Sequence, residues 1–385
     1  MSSIVQAPRI VRSCYRFTRG YSTSGGSGGG SRFFKGARNF ILGFNQSEET
    51  STSEFIPYTK YPLISQEQLK KITLGDKFKF EFGHASFGYH SSSIVPSINS
   101  LSDLTDPTQL NTLLPRRRPK GSPSDTLSIK AGDDTMLVSS SVLAVADGVS
   151  GWESDGLQTS SGIWSRSMVE TFSRLMTEYK INHAPHVLVK RDIDQILDDS
   201  FLHTSHLMDL QKLSGSSTLA LVMLSGEDIL QMISIGDSKL YIIREGEIIK
   251  TNETQMISEL CPQQIGTQTL NLLPSEIAWV DSVKLQEGDL IVLCSDGISD
   301  NLYENELVNY IREFIYEKKN SLKVAANKLL IKAKEVAFDD YAYTPYNELV
   351  NSLPKKYGAQ QSVGGKLDDM SILVAKVVNN PNKRE

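Results

Sequence analysis

Hydrophobic positions recur along this chain at two spacings, and the switch between them marks out the elements. Residues 77–89 alternate aromatic and polar side chains, the period-2 signature of a half-buried strand. Apolar runs at 135–139 and 142–146 have strand length. Trp164, Met168, Phe172, Leu175 and Tyr179 then fall three or four residues apart, which predicts a helix over 163–179 with one face buried. Ile193, Ile196, Leu197, Phe201 and Leu207 predict a second helix. Strands are expected next at 218–224, 229–235, 239–244 and 247–250. The links Ser225-Gly226-Glu227-Asp228 and Glu245-Gly246 have hairpin-turn composition. Two later strands are expected at 289–294 and 371–377, and 304–337 reads as helical. Strands in runs, with helices between the runs, predict an α+β fold of antiparallel sheets rather than a doubly wound parallel one.

Composition narrows the class. The 385 residues are 39% hydrophobic and 22% charged, the balance of a soluble globular protein able to bury a sizeable core. A formal net charge of -5 gives no electrostatic case for a nucleic-acid partner. No apolar run reaches the roughly 18 residues of a membrane-spanning helix. Cys14, Cys261 and Cys294 form no CxxC pair, so neither a disulfide framework nor a zinc-thiolate site is expected.

The N-terminal segment has another character. Arg9, Arg12, Arg16 and Arg19 are interleaved with Ile4, Val5, Ile10, Val11, Tyr15 and Phe17, and the first acidic residue is Glu48. That is the composition of a mitochondrial transit peptide, with cleavage expected after Tyr21 and a matrix destination. The expected organisation is a presequence at 1–21, a linker at 22–75, a catalytic domain at 76–378 and a tail at 379–385. A Ser/Pro-rich insertion is expected at 91–124, ending in the basic knot of Arg116, Arg117, Arg118 and Lys120.

Four acidic clusters stand at strand ends: Asp133-Asp134, Asp147-Gly148, Asp296-Gly297 and Asp368-Asp369. A strand that ends in Asp-Gly pushes a carboxylate past the sheet rim, and the glycine lets the backbone turn and expose its carbonyl. Hard divalent cations such as Mg²⁺ and Mn²⁺ take these ligands. One Asp-Gly is an ordinary turn, but four acidic strand ends in one domain point to a metal site. His183 with His186, and His203 with His206, have H-x2-H spacing but lack further ligands, and are read as structural or surface residues.

The ordered series GDD, VADGVSGW, GSST, IGDSK, CSDGISDN and GGKLDDMSILV, over about Gly132 to Val377, resembles the protein phosphatase 2C (PPM) family, and most of all its mitochondrial branch. The resemblance implies two packed antiparallel sheets flanked by helices. It implies serine/threonine phosphatase activity on phosphorylated proteins, with two Mn²⁺ or Mg²⁺ ions activating a water. Asp147 would bridge both ions, the Gly148 carbonyl would bind one, and Asp296 and Asp368 would hold the second. Asp134, with Asp133 beside it, would act through bound waters, and the catalytic set would be Asp147, Asp296 and Asp134. Asp237 is read as a turn acceptor rather than a ligand.

The chain departs from the family pattern in four places. Val149 stands where many members carry a histidine. Lys130 is found where an arginine usually binds phosphate. Lys212 occupies the place of an aspartate associated with a third metal, and Ser150 that of a glycine. These departures keep open a second reading, a catalytically weak or silent module that binds partners. A metal-dependent nuclease is disfavoured by the acidic balance.

Overall fold

The computed structural model describes residues 64–73, 76–89, 116–149, 158–183, 187–354 and 361–381. The presequence, most of the linker, residues 91–115 of the insertion, Ser150 and His186 lie outside them. Two large sheets carry the structure. One has seven strands, β2 (Arg116–Arg117), β3 (Leu127–Ala131), β4 (Asp134–Val138), β5 (Val142–Ala146), β6 (Leu219–Ser225), β7 (Ile229–Ile235) and β10 (Trp279–Lys284), in the order β10-β7-β6-β5-β4-β3-β2. The other has five, β1 (Phe78–Phe87), β8 (Lys239–Arg244), β9 (Glu247–Thr251), β11 (Leu290–Cys294) and β12 (Met370–Asn379), in the order β1-β12-β11-β8-β9. Every pairing within both sheets is antiparallel.

The alternation of strand side chains explains why the sheets stack. On β5, Leu143 and Val145 face the space between the sheets, where they meet Leu240, Ile242, Ile291, Leu293 and Leu373 of the five-stranded sheet. Val142, Ala144 and Ala146 face the other way, into a second apolar cluster. That cluster is closed by helices α2 (Ser161–His183) and α3 (Lys190–Leu210). On the far side, Ile372 and Val374 of β12 pack with Leu307, Ile311, Ala325, Leu329 and Ala333. These come from α6 (Glu304–Ile311) and α7 (Leu322–Ala337). The result is the expected α+β sandwich of helix, sheet, sheet and helix layers. Shorter helices complete the described residues: α1 (Gln66–Thr73), α4 (Pro274–Ile277), α5 (Asp296–Ser299) and α8 (Pro345–Ser352).

Three details refine the sequence-based picture. The single helical stretch at 304–337 is interrupted: a π-helical segment at Arg312–Glu317 leads to Lys319 at φ 49°, after which Ser321 caps α7 by accepting from Val324 N at 3.4 Å. The turn at Glu245-Gly246 has both residues at positive φ (53° and 83°), the geometry that matches hairpin twist. The basic knot is not solvated throughout. Arg117 sits on edge strand β2 and forms a two-pronged ion pair with Glu170 at 2.7 and 2.6 Å, while the buried Arg166 approaches the same carboxylate at 3.2 Å. Two guanidinium groups on one carboxylate tie β2 to α2.

Candidate metal centre

The acidic residues gather where the two sheets meet. Asp147 follows β5 of the seven-stranded sheet, and Asp296 follows β11 of the five-stranded one. Asp237 lies in the short crossover from β7 to β8, which belong to different sheets. One carboxylate oxygen from each of Asp147, Asp237 and Asp296 lies within 4.8 Å of the others. Asp237, read from the sequence as a turn acceptor, also stands within reach of a shared ion: Gly236, at φ 100°, turns the backbone just before it, and the residue lands beside the other two. The sequence signal was present, since an apolar strand ends in Gly-Asp there, with the order of the pair reversed.

Electrostatics show that the cluster is frustrated without cations. Burial, followed by the charges of Asp296, Asp134, Asp368 and Asp237, holds the Asp147 carboxyl well above the ordinary carboxylate range. Asp134 is fully buried, accepts from Ser295 Oγ at 2.7 Å, and is likewise raised by burial and then by the charge of Asp369. An all-oxygen donor set, crowded enough that its members resist ionising together, fits hard divalent cations.

The remaining expected residues fall around this cluster. Gly148 begins a two-residue strand, Gly148–Val149, which pairs with Ser216–Ser217, and those pair in turn with Ile265–Gly266. Thr218 donates its backbone N–H to the Asp147 carbonyl at 2.9 Å, so the GSST stretch braces the Asp147 backbone. Asp368 lies outside the tight trio and faces Lys366 Nζ at 3.0 Å. Asp369 serves as an anchor, accepting from Tyr89 N at 2.6 Å and Asp133 N at 2.7 Å. Its carboxyl is pushed up to about 7, chiefly by burial. Asp133 itself accepts from Gly162 N at 3.0 Å in the first turn of α2.

The departures can also be placed. Val149 is only 5% exposed, and its carbonyl accepts from Ser161 Oγ at 2.5 Å. Lys130 reaches the same first turn of α2: a Cβ added at Gly162 would lie 2.7 Å from Lys130 Nζ and 2.6 Å from Asp133 Oδ1. Lys212 is exposed, at φ 54°, and takes no part in the trio. His203 and His206 lie on α3, and no histidine enters a metal-competent group among the described residues. Burial raises the Cys294 thiol to about 12, which leaves no reactive thiolate there.

Comparison with known proteins agrees with this geometry. The sequence profile of "Protein phosphatase 2C" matches residues 130–329. "Probable protein phosphatase 2C 26" of Arabidopsis thaliana is 30% identical over 264 residues, covering 65% of this chain and 80% of that protein. "Protein phosphatase PTC7 homolog fig" of Drosophila mojavensis is 28% identical over 258 residues, covering 64% and 78%. The X-ray structure of the photosystem II phosphatase PBCP superposes with a TM-score of 0.55 at 25% identity, covering 77% of this chain and 98% of that one. No helix among the described residues is long and apolar enough to cross a membrane. With an oxygen-only acidic centre at the junction of two stacked sheets and a family profile spanning more than half its length, the chain belongs to the protein phosphatase 2C family and is a Mn²⁺- or Mg²⁺-dependent serine/threonine phosphatase.

Proposed function

We propose that this phosphatase hydrolyses phosphoserine and phosphothreonine on mitochondrial proteins at a centre of two divalent ions. Asp147 would be shared between the ions, the Gly148 carbonyl would serve one, and Asp296 and Asp368 the other. Asp237 joins this set because of its approach to Asp147 and Asp296, the observation that carries the reading. When bound, the ions supply the acidity that ionises a water near neutral pH and the charge that offsets the phosphoryl oxygens.

The protein's own groups do the positioning. Asp134, buried close to the trio, accepts from Ser295 Oγ, and burial followed by the charge of Asp369 raises its carboxyl. Its part is to orient water rather than to bind metal. Lys130, beside Asp133 and Asp369 at the first turn of α2, is the positive charge that would take the place of the family's phosphate-binding arginine. The buried Val149, standing where many family members carry a histidine, supplies no imidazole of its own to protonate the leaving alkoxide. The mitochondrial destination rests on the arginine-rich, acid-free composition of residues 1–21. The domain limits proposed for the catalytic unit remain 76–378.

Asp147→Asn keeps the shape of the side chain and removes its charge. It is expected to abolish hydrolysis of a phosphoserine peptide and to cost the centre one or both Mn²⁺ ions in a calorimetric titration. If this variant binds two Mn²⁺ as tightly as the wild type and still turns over, the assignment is wrong. If the wild type binds Mn²⁺ without turnover of any phosphopeptide, the silent binding module is the better reading.

A further inference from the structure

The lysine of GGKLDDMSILV has no part in the reading above, yet it is the cation most closely engaged with the acidic centre among the described residues. Lys366 Nζ lies 2.5 Å from Asp296 Oδ2, 2.6 Å from Asp300 Oδ2 and 3.0 Å from Asp368 Oδ2. Its side chain is 11% exposed, and the ammonium sits 5.6 Å from the centroid of the Tyr346 ring.

The backbone that carries this lysine is held as firmly as its side chain. Lys366 N donates to Asn301 Oδ1 at 2.9 Å, and Asn301 Nδ2 donates back to the Lys366 carbonyl at 2.8 Å. The same Nδ2 reaches the Gly297 carbonyl at 2.8 Å, in the turn that begins with Asp296. The buried Asn301 amide thus fixes the distance between the lysine backbone and the Asp296 loop. Just before the lysine, Gly364 N donates to the Ala342 carbonyl at 2.8 Å and Gly365 N to the Asp339 carbonyl at 2.9 Å. A Cβ at Gly365 would fall 2.1 Å from the Val336 carbonyl, so only glycine lets the loop press against the end of α7 there. Placing a lysine at this spot takes four backbone hydrogen bonds and a glycine pair.

We propose that Lys366 is a built-in cation of the metal centre, its ammonium filling the outer flank between Asp296, Asp300 and Asp368 so that two divalent ions bind and a third does not. The proposal rests on the two-ion reading above. Charge balance supports it. Asp147, Asp237, Asp296, Asp300 and Asp368 carry five negative charges, and the ammonium leaves four, which two divalent ions neutralise. A carboxylate has about four acceptor sites on its two oxygens, so Asp296 can serve the ammonium and an ion together. The ammonium also offsets repulsion among the three carboxylates before any ion arrives, which makes Lys366 a positioning residue.

Calorimetric Mn²⁺ titration of the full chain, with thermal melting in EDTA, tests this. The wild type should take up two Mn²⁺. Lys366→Met keeps the length and removes the charge. It should admit a third, weaker Mn²⁺, and its melting midpoint in EDTA should fall by roughly 2–4 °C. Lys366→Arg should keep two ions. Asp300→Asn, in the presence of Lys366, should also keep two, because a lysine rather than an ion faces Asp300. Should Lys366→Met fail to fold, the Asp300→Asn titration still decides. A wild type that binds three Mn²⁺ and loses one in Asp300→Asn overturns the proposal. So does a folded Lys366→Met with two ions and an unchanged midpoint in EDTA. A wild type with fewer than two ions instead sinks the two-ion reading, and the EDTA midpoints then judge the lysine alone.

Discussion

Gly132 shows how much a single backbone position can hold at this centre. It sits at φ 61°, and a Cβ there would lie 2.0 Å from Asp369 Oδ1. Asp369 cannot easily retreat, because its carboxylate accepts from the backbone N–H groups of both Tyr89 and Asp133. Gly132→Ala is therefore expected to combine left-handed strain, roughly 1–3 kcal/mol, with displacement of the anchor beside Asp368. Gly288 provides the control, with φ 94° and nothing within 4 Å of an added Cβ. Denaturant melts should show Gly132→Ala losing clearly more stability than Gly288→Ala, and only the former should weaken Mn²⁺ binding. Equal losses would mean that the Asp369 anchor is soft.

Among the helices, α3 carries a pH response unrelated to the metal centre. Burial, then the charges of Arg174 and His206, lowers His203 from its ordinary 6.5 to about 4. A depressed histidine favours the neutral form in the folded protein. Its contribution is present above about 6.5 and is lost as pH falls toward 4. His203→Gln, which cannot ionise, should lose less stability than the wild type between pH 6.5 and 4, with EDTA present throughout. Parallel acid curves would show that His203 titrates normally. The two-histidine spacing that invites a zinc reading is thus a helix-face pair. The elements themselves were largely legible in the chain. Strands 229–235 and 239–244 match β7 and β8 in both limits, because steep polar breaks bound their apolar runs. The break at Lys319 had a sequence signal, Asn320-Ser321 ahead of the apolar run of α7, with Ser321 as its N-cap; the apolar residues on both sides masked it by continuing at helical spacing. Strand β10 gives little sequence signal because it lies at a sheet edge with none of its residues fully buried, so its apolar alternation is weak.

At the scale of the whole molecule, the centre doubles as a clasp between the two sheets. Asp147 projects from the seven-stranded sheet and Asp296 from the five-stranded one, with Asp237 on the link between them. Four of the expected acidic positions were legible because each abuts an apolar run. The partnership of Asp237 with Asp147 was not, since it depends on how two distant strand ends meet in space. Ions that bind only the folded clasp stabilise the fold by mass action, about 2.7 kcal/mol when free Mn²⁺ is about 100 times Kd. Melting should therefore rise with Mn²⁺ and fall with EDTA. Asp147→Asn should uncouple the two effects. The neutral amide removes a carboxyl that burial and four neighbouring carboxylates already hold well above its ordinary range. In EDTA this variant is expected to melt at or above the wild-type midpoint, whereas saturating Mn²⁺ should raise it far less than the wild type. If instead Asp147→Asn melts well below the wild type in EDTA and gains the full Mn²⁺ increment, the carboxylate is a structural support. The clasp must then be built from other residues.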